Sequence, residues 1–251
     1  GLGQELLHLF MGSRVHESLE WLYENKEAGV DDLIETYEDL WQKKLDGDGT
    51  KIKVKLLRID KFNEEHYMNL GKLFLKMYYS KHEPFSDKDL LIEKTELPLE
   101  IELGRYKIQG EIDRFTHKKG EIPEIHDYKT NKSIPEGTTR LKEIVYKLGL
   151  IEKEGFDLIL QEKPLLWKRI EKKGFERQLK LYALLIEKSN YCKKCNDWST
   201  EKICETCKEE TDVYPQFDKV KLIWHYLRLN EEVEMLIDKD ILKNIKKEIE
   251  N

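Results

Sequence analysis

Residues Glu100–Thr130 read EIELGRYKIQGEIDRFTHKKGEIPEIHDYKT, and this stretch decides the fold. Apolar and polar residues alternate in three short runs, which is typical of strands with one buried face. Gly104-Arg105 and Lys119-Gly120 separate the runs and are places where a chain can reverse direction. The pattern therefore predicts three neighbouring strands, in which every second side chain points to the same face.

Charged residues cluster at one end of these predicted strands. Asp113 lies late in the second run, and Asp127 and Lys129 end the third. Residues two apart on a strand share a face, and side-by-side pairing brings Asp113 to that face as well. Two carboxylates can hold a divalent ion that activates water, and an ammonium group can stabilise charge growing on a phosphate. The hypothesis is a phosphodiester-cleaving metal site, although an Asp and a Lys at this spacing are more often a solvent-exposed pair.

The composition limits the class of protein. A chain of 251 residues is long enough for one large domain, or for a domain with a small appendage. Charged residues make up 37% of it, and no apolar run is long enough to span a membrane. The net charge of −6 argues against a protein that coats nucleic acid by charge alone. It does not exclude a nuclease, because bound metal ions add positive charge where carboxylates cluster.

The four cysteines form one compact motif. Cys192, Cys195, Cys204 and Cys207 make two C-x2-C pairs separated by eight residues. Two such pairs can place four thiolates around one tetrahedral zinc ion, and a site with four protein ligands is structural. The alternative is that the four thiolates hold an iron–sulfur cluster, and free thiols are a third possibility. Cysteines grouped in this way do not resemble a disulfide framework, so a reducing, cytoplasmic location is predicted.

Helical periodicity appears outside the strand region. His16 lies within the first such segment, where a histidine is more often packed or solvent-facing than a metal ligand. Gln178 and Tyr182 lie four apart on a later segment and share a face, which usually means only a surface pair. A late strand is predicted at Val220–Leu229. The predicted helices are Leu2–Tyr23, Asp31–Lys44, Asn63–Tyr79, Phe175–Lys188 and Asp238–Asn251.

Four short motifs occur in a characteristic order along the chain. They are Gly12-x3-His16, Gly110-x-Ile112-Asp113-Arg114, Asp127-Tyr128-Lys129-Thr130 and Gln178-Leu179-x2-Tyr182. In this order, and followed by a strand, they resemble the RecB-like branch of the PD-(D/E)XK nuclease superfamily. That branch includes nuclease domains of bacterial recombination helicase-nucleases and exonucleases of CRISPR adaptation. The resemblance extends from His16 to Leu229.

The resemblance implies a fold, a metal and a role for each motif residue. The implied fold is restriction-endonuclease-like: a mixed central sheet flanked by helices. The implied metal is magnesium or manganese, and Arg114 is expected to brace the motif aspartate or touch a phosphate of DNA. The implied catalytic lysine is Lys129, and Gln178 and Tyr182 would line the site. The implied metal ligands are His16, Asp113, Asp127 and the backbone carbonyl of Tyr128.

Two departures from the family pattern shape the predicted domains. Some members hold an iron–sulfur cluster with one cysteine near the N-terminus, and this chain has no early cysteine, so a local zinc ribbon at about 191–213 is preferred. Forty-eight residues separate Lys129 from Gln178, which indicates a helical insertion at about 133–175. The nuclease domain is accordingly predicted to comprise residues 1–190 and 214–251.

The sequence therefore predicts a metal-dependent DNA nuclease acting in repair, recombination, or mobile-element or CRISPR-related processing. Single- or double-stranded DNA is the expected partner, together with a helicase or another protein. The rival hypothesis is a catalytically weak DNA-binding or scaffold subunit of a larger complex, which the acidic net charge favours slightly. In a third hypothesis, the zinc ribbon binds a partner protein and is the functional part of the chain.

Overall fold

The computed structural model describes residues 2–47, 49, 53–58, 61–130, 133–134, 165–166, 169–195, 197–199, 202–204, 206–213 and 218–250. Its helices are α1 (Leu7–Glu24), α2 (Val30–Leu45), α3 (Glu64–His82), α4 (Arg169–Lys188) and α5 (Lys239–Glu250). Its strands are β1 (Leu2–Leu6), β2 (Lys53–Leu57), β3 (Leu90–Leu103), β4 (Tyr106–Lys118), β5 (Glu124–Lys129), β6 (Ser133–Ile134), β7 (Leu165–Leu166), β8 (Asn190–Cys192), β9 (Asp197–Ser199), β10 (Asp212–Val213), β11 (Lys219–Tyr226) and β12 (Glu231–Asp238).

The chain divides into two compact units. The first unit comprises Gly1–Asp87, Tyr128–Trp167 and His225–Glu232. The second unit comprises Lys88–Asp127, Lys168–Trp224 and Val233–Asn251. The chain passes from the second unit to the first within β5, between two consecutive residues, Asp127 and Tyr128.

Three mutually packed helices, α1 to α3, form the core of the first unit. The side chain of Asn63 caps α3 by accepting a hydrogen bond from the backbone N–H of His66 at 2.9 Å. At the start of α2, the carboxylate of Asp32 accepts one from the backbone N–H of Gly29 at 2.8 Å. The largest side chains of this core are aromatic and fully buried: Phe10, Tyr37, Trp41, Tyr67, Phe74 and Tyr78.

The first five described residues form a strand, so the predicted helix from Leu2 is wrong at its start. Leu2–Leu6 pairs in parallel with Lys53–Leu57, and α1 begins only at Leu7. Leu2 and Leu6 are four apart, a spacing that puts two side chains on one face of a helix and also on one face of a strand. The sequence pattern could not separate these two cases, and the pairing partner decides between them.

A long antiparallel hairpin, β3–β4, leads into β5 in the second unit. Leu103 pairs with Tyr106 across the turn at Gly104, whose φ of 60° is easily adopted by glycine. Gly120, at the next reversal, has a φ of 78°. The two predicted turns and the three predicted strands are thus confirmed, with β3 extending back to Leu90.

The sheet has the order β12-β11-β5-β4-β3 and contains both strand orientations. β3 with β4 and β4 with β5 are antiparallel pairs. Along β11, the backbone N–H of Lys221 donates to the carbonyl of Pro123, and that of Leu227 donates to the carbonyl of Lys129. Both bonds advance along the two strands in the same direction, so β11 runs parallel to β5.

The helices of the second unit lie against this sheet. α4 contacts β3, β4 and α5, and its residues Leu179, Ala183 and Leu184 are buried. The predicted helices α2 to α5 and the predicted late strand are confirmed to within a few residues, except that α4 begins six residues earlier, at Arg169. The fold class is therefore the one predicted, a mixed central sheet with flanking helices.

The cysteine region carries a small sheet of its own. Its strand order is β10-β8-β9, and β8 ends at Cys192. Most of the predicted insertion at 133–175 lies outside the described residues, so the division into a nuclease domain and two insertions stays a prediction. Among the described helices, none is both long and apolar enough to cross a membrane.

Gly71 is required where α3 crosses α2. A Cβ atom added there would lie 2.6 Å from Cζ of Tyr37 and would also overlap its hydroxyl, and Tyr37 is fully buried. We expect Gly71→Ala to lower the free energy of unfolding by about 1–3 kcal/mol through overpacking. Urea denaturation followed by circular dichroism measures this change.

The matched control is Gly29→Ala, whose added Cβ would have only an ordinary contact of 3.4 Å with Asp32. A Gly71→Ala chain that unfolds at the same urea concentration as the wild type would contradict the packing argument.

Candidate active site

The strand register places the two predicted catalytic aspartates opposite each other. Arg114 on β4 pairs with His126 on β5, so the next step of the same antiparallel register sets Asp113 against Asp127. Side chains directly opposed in this way have Cβ atoms about 4.5–5.5 Å apart. Asp127 is 2% exposed and Asp113 is half-buried, so two carboxylates lie side by side where the pairing of β4 with β5 ends.

The pKa of Tyr182, on α4, is shifted by burial and by the charge of this carboxylate pair. Burial raises the pKa of the Tyr182 hydroxyl to about 12, a hydrogen bond from Gln178 opposes the rise, and the negative charges of Asp127, Asp113 and Glu111 add to it. Gln178 Nε2 donates to the Tyr182 hydroxyl oxygen at 2.8 Å. The hydroxyl therefore stays protonated at neutral pH and can act as a hydrogen-bond donor.

Gly110 allows α4 to lie close to β4 beside this site. A Cβ at Gly110 would come within 2.9 Å of Tyr182 Cε1 and 3.1 Å of Leu185 Cδ1. The motif glycine, three residues before Asp113, thus sets how closely Tyr182 approaches the strand. A groove of about 440 Å³ opens here, lined among others by Gln109, Arg177 and Gln178.

A third carboxylate, Glu96, joins the site and was not predicted. Thr95 pairs with Arg114 and Leu97 with Ile112, so Glu96 on β3 faces Asp113. A carboxylate oxygen of Glu96 lies within 4.8 Å of one of Asp113. Glu96 has a φ of 43°, a left-handed conformation that is strained for a non-glycine residue. The sequence could have predicted Glu96, because pairing residues outward from the turn at Gly104 places it opposite Asp113.

Arg114 forms an ion pair within the protein. Its Nε and Nη2 atoms each lie 2.9 Å from Glu93 Oε1, and the side chains of this ion pair are 14% and 9% exposed. The pair ties β4 to β3 beside Asp113. The expectation that Arg114 touches a phosphate remains a prediction.

In the first unit, His16 lies against the backbone of Tyr128. His16 Nε2 is 2.9 Å from the carbonyl oxygen of Tyr128, so two of the predicted ligand atoms are brought together. The two rings meet edge to face at 5.8 Å. Lys129 is half-buried, and its carbonyl accepts a hydrogen bond from the backbone N–H of Leu227.

Gly12 explains the first motif. A Cβ at Gly12 would lie 2.8 Å from Oγ1 of Thr130, so only glycine lets α1 approach the residue that follows β5 without displacement. One helical turn later, the same helix presents His16 to the Tyr128 carbonyl. In the motif Gly12-x3-His16, the glycine therefore allows the close approach of α1, and the histidine is the side chain that this approach positions.

The four cysteine sulfurs lie together in the second unit. Cys192 Sγ is 3.4 Å from Cys207 Sγ, Cys204 Sγ is 3.7 Å from Cys195 Sγ, and all four lie within 4.8 Å of one another. Thiolates at about 2.3 Å from a tetrahedral ion are about 3.8 Å apart, so the set fits zinc. The backbone N–H groups of Cys207 and Thr206 lower the pKa of the Cys204 thiol to about 6, whereas the hydrogen bond with Cys207 raises the pKa of the Cys195 thiol to about 12.

Comparison with known proteins identifies one family. The model of the PD-(D/E)XK nuclease superfamily matches residues 3–208. The matched region contains all four sequence motifs and the four cysteines. The search of curated proteins gives no significant match.

The contact between Gly12 and Thr130 can be tested by paired substitutions. We expect Gly12→Ala to lower the free energy of unfolding by about 1–3 kcal/mol, because the new methyl group meets Thr130 Oγ1. Thr130→Ala in the same chain removes that oxygen and is expected to restore most of the loss. Urea denaturation of the two single variants and the double variant gives the coupling energy.

If the changes in the free energy of unfolding of the two single variants simply add in the double variant, the packing of α1 does not depend on this close approach. The matched control is Thr130→Ser, which keeps the hydroxyl and should not rescue Gly12→Ala.

Proposed function

The chain belongs to the PD-(D/E)XK nuclease superfamily, and from this premise we propose that it is a divalent-metal-dependent nuclease that hydrolyses phosphodiester bonds of DNA. The observation that carries the proposal is the alignment of Asp113 and Asp127 on adjacent strands, with Glu96 facing Asp113. Aligned carboxylates in a partly buried site are costly unless a cation neutralises them. They are also the ligands that magnesium and manganese prefer.

The proposed metal ligands come from several elements. Asp113, Asp127 and Glu96 supply carboxylate oxygens, and His16 and the Tyr128 carbonyl supply the remaining donors. When bound, a divalent ion would neutralise phosphate charge and lower the pKa of a water molecule. These donor types fit magnesium or manganese better than softer ions.

The other residues act on the substrate and on its charge. We assign Lys129 to stabilise the negative charge that develops on the phosphate, as an ammonium group does in a partly buried site. Tyr182, held by Gln178 and protonated at neutral pH, can donate a hydrogen bond to a phosphate oxygen. The groove beside Gly110, which includes the exposed Arg177, gives a DNA strand a path to the carboxylates.

The finer assignment rests on the order of the motifs. Gly12-x3-His16 at the start and Gln178-Leu179-x2-Tyr182 after the lysine support placement in the RecB-like branch. That branch suggests DNA repair, recombination, or mobile-element or CRISPR-related processing, together with a helicase or another protein partner. Thiols grouped in one cluster support a reducing, cytoplasmic location.

Cleavage assays on labelled single- and double-stranded DNA test the proposed reaction. With Mg²⁺ or Mn²⁺ present, we expect cleavage that EDTA abolishes. Lys129→Ala should reduce the rate by about 100-fold or more, because it removes the cation that stabilises developing charge. Asp113→Asn and Glu96→Gln should weaken Mn²⁺ binding, measured by calorimetry, because each removes a ligand charge.

Lys119→Ala is the matched control, since this exposed lysine lies in the turn after β4, away from the proposed ligands. A Lys129→Ala chain with wild-type turnover would overturn the proposal. DNA binding without any metal-dependent cleavage would support the rival scaffold function instead.

We also propose that Cys192, Cys195, Cys204 and Cys207 hold one structural zinc ion, with an iron–sulfur cluster as the alternative. The prediction is that a mercurial reagent releases one zinc per chain from these thiols, measured with a colorimetric chelator. Cys192→Ser combined with Cys207→Ser should lose that zinc, because two of four ligands are gone. A visible absorption band with bound iron would instead identify a cluster.

A further inference from the structure

A second cluster of metal-ligating side chains lies in the first unit, formed by His82, His225 and Glu232. His82 ends α3, His225 lies near the end of β11, and Glu232 lies near the start of β12. The ligand atoms of the three side chains lie within 4.8 Å of one another. We propose that this cluster binds a divalent transition-metal ion of the zinc class through two imidazole nitrogens and one carboxylate oxygen.

The distances match those of a tetrahedral ion. His82 Nε2 lies 3.1 Å from Glu232 Oε1, and His225 Nδ1 lies 3.4 Å from the same oxygen. Nitrogen and oxygen ligands at about 2.0–2.1 Å from a tetrahedral zinc ion are about 3.3 Å apart. The two imidazole nitrogens are therefore spaced from this oxygen as ligands of one tetrahedral ion would be.

Aromatic rings hold both imidazoles in place. Tyr78 stacks on His82 with ring centroids 4.1 Å apart, and it contacts His225 edge to face at 5.6 Å. Tyr128 lies on another side of His225 at 5.1 Å. Rings fixed by packing lose little conformational freedom on binding an ion, and such preorganised ligands are what a metal site needs.

The cluster is partly open to solvent. The side chain of His225 is 4% exposed, whereas those of His82 and Glu232 are 22% and 26% exposed. An ion can therefore reach the site through the partly exposed side chains of His82 and Glu232. Three protein ligands leave a fourth position for water, as in zinc sites that are not closed.

Lys81 is the competitor for the same carboxylate. Its ammonium lies 2.9 Å from Glu232 Oε1 and 3.2 Å from the carbonyl oxygen of Asn230. A divalent ion must displace this charge or tolerate it nearby, so Lys81 weakens the site. The two hypotheses therefore differ in what removal of Lys81 does. If the cluster is a metal site, removal of this charge should strengthen metal binding. If the cluster is only an ion-pair network, removal should create no metal affinity.

The cluster also touches the chain beside the catalytic lysine. Tyr128, whose ring contacts His225, immediately precedes Lys129, and Leu227 donates its backbone N–H to the Lys129 carbonyl. An ion that fixes His225 and Glu232 would thus fix the segment that supports the end of β5. The ion is a positioning device and takes no part in the cleavage itself.

The test counts the zinc bound to this chain at pH 7.5 with Zn²⁺ as the probe. Wild-type protein should bind one equivalent beyond the zinc held by the four cysteines, and His82→Gln, His225→Gln and Glu232→Gln should each lose that equivalent alone. Lys81→Met should bind it more tightly. Excess Mg²⁺ should not displace it, because imidazole ligands favour zinc over magnesium.

His66→Gln is the matched control, since His66 lies on the same helix but stacks on Phe62, outside the cluster. If all three ligand variants keep the full wild-type zinc content, the proposal is wrong. X-ray absorption at the zinc edge gives a second check in loaded His16→Gln protein, which lacks the imidazole of the proposed nuclease site: imidazole scattering supports the site, and sulfur alone overturns it.

Discussion

The antiparallel register of β3, β4 and β5 determines which side chains share the candidate active site. The hairpin closes with Leu103 against Tyr106, and from that pair the register brings Glu96 to Asp113. The pairing of Arg114 with His126 then brings Asp113 to Asp127. A slip of one residue in either pair would turn these carboxylates to the opposite face of the sheet. The long hairpin is therefore the structural basis of the charge cluster.

Two glycines, one in each unit, let a helix pack closely against the chain beside it. Gly110 lets α4 carry Tyr182 close to β4, and Gly12 lets α1 approach Thr130. In each case the glycine occurs a few residues before a predicted ligand, Asp113 or His16. A Cβ atom at either position would come too close to the facing side chain, which would have to shift. Glycine is needed at these two positions because another part of the chain approaches the backbone closely. The backbone angle φ is not positive at either position.

The sequence predicted the parts of the fold that depend on local pattern. Alternation identified β4 and β5, and helical spacing correctly joined Gln178 to Tyr182. β1 was missed because the spacing of Leu2 and Leu6 fits a helix and a strand equally well.

Glu96 was missed because its role depends on register across the hairpin. β12 was missed because an edge strand rich in glutamate resembles a solvent-exposed loop, although charges of this kind protect an edge strand from pairing with other chains. His82 and His225 are so distant in the chain that only the tertiary fold can bring them together.

The three candidate metal sites differ in donor chemistry, and this difference can keep their metals apart. Four thiolates favour zinc or iron–sulfur, and two imidazoles with one carboxylate favour zinc-class ions. Three carboxylates with a carbonyl and a single imidazole favour magnesium or manganese. Zinc binds most protein ligands more tightly than magnesium does, so a nuclease site exposed to free zinc would be at risk of the wrong ion. Softer ligands elsewhere in the same chain would hold zinc more strongly than carboxylates do. The oxygen-rich site would then remain available to the abundant, weakly bound ion that suits phosphate chemistry.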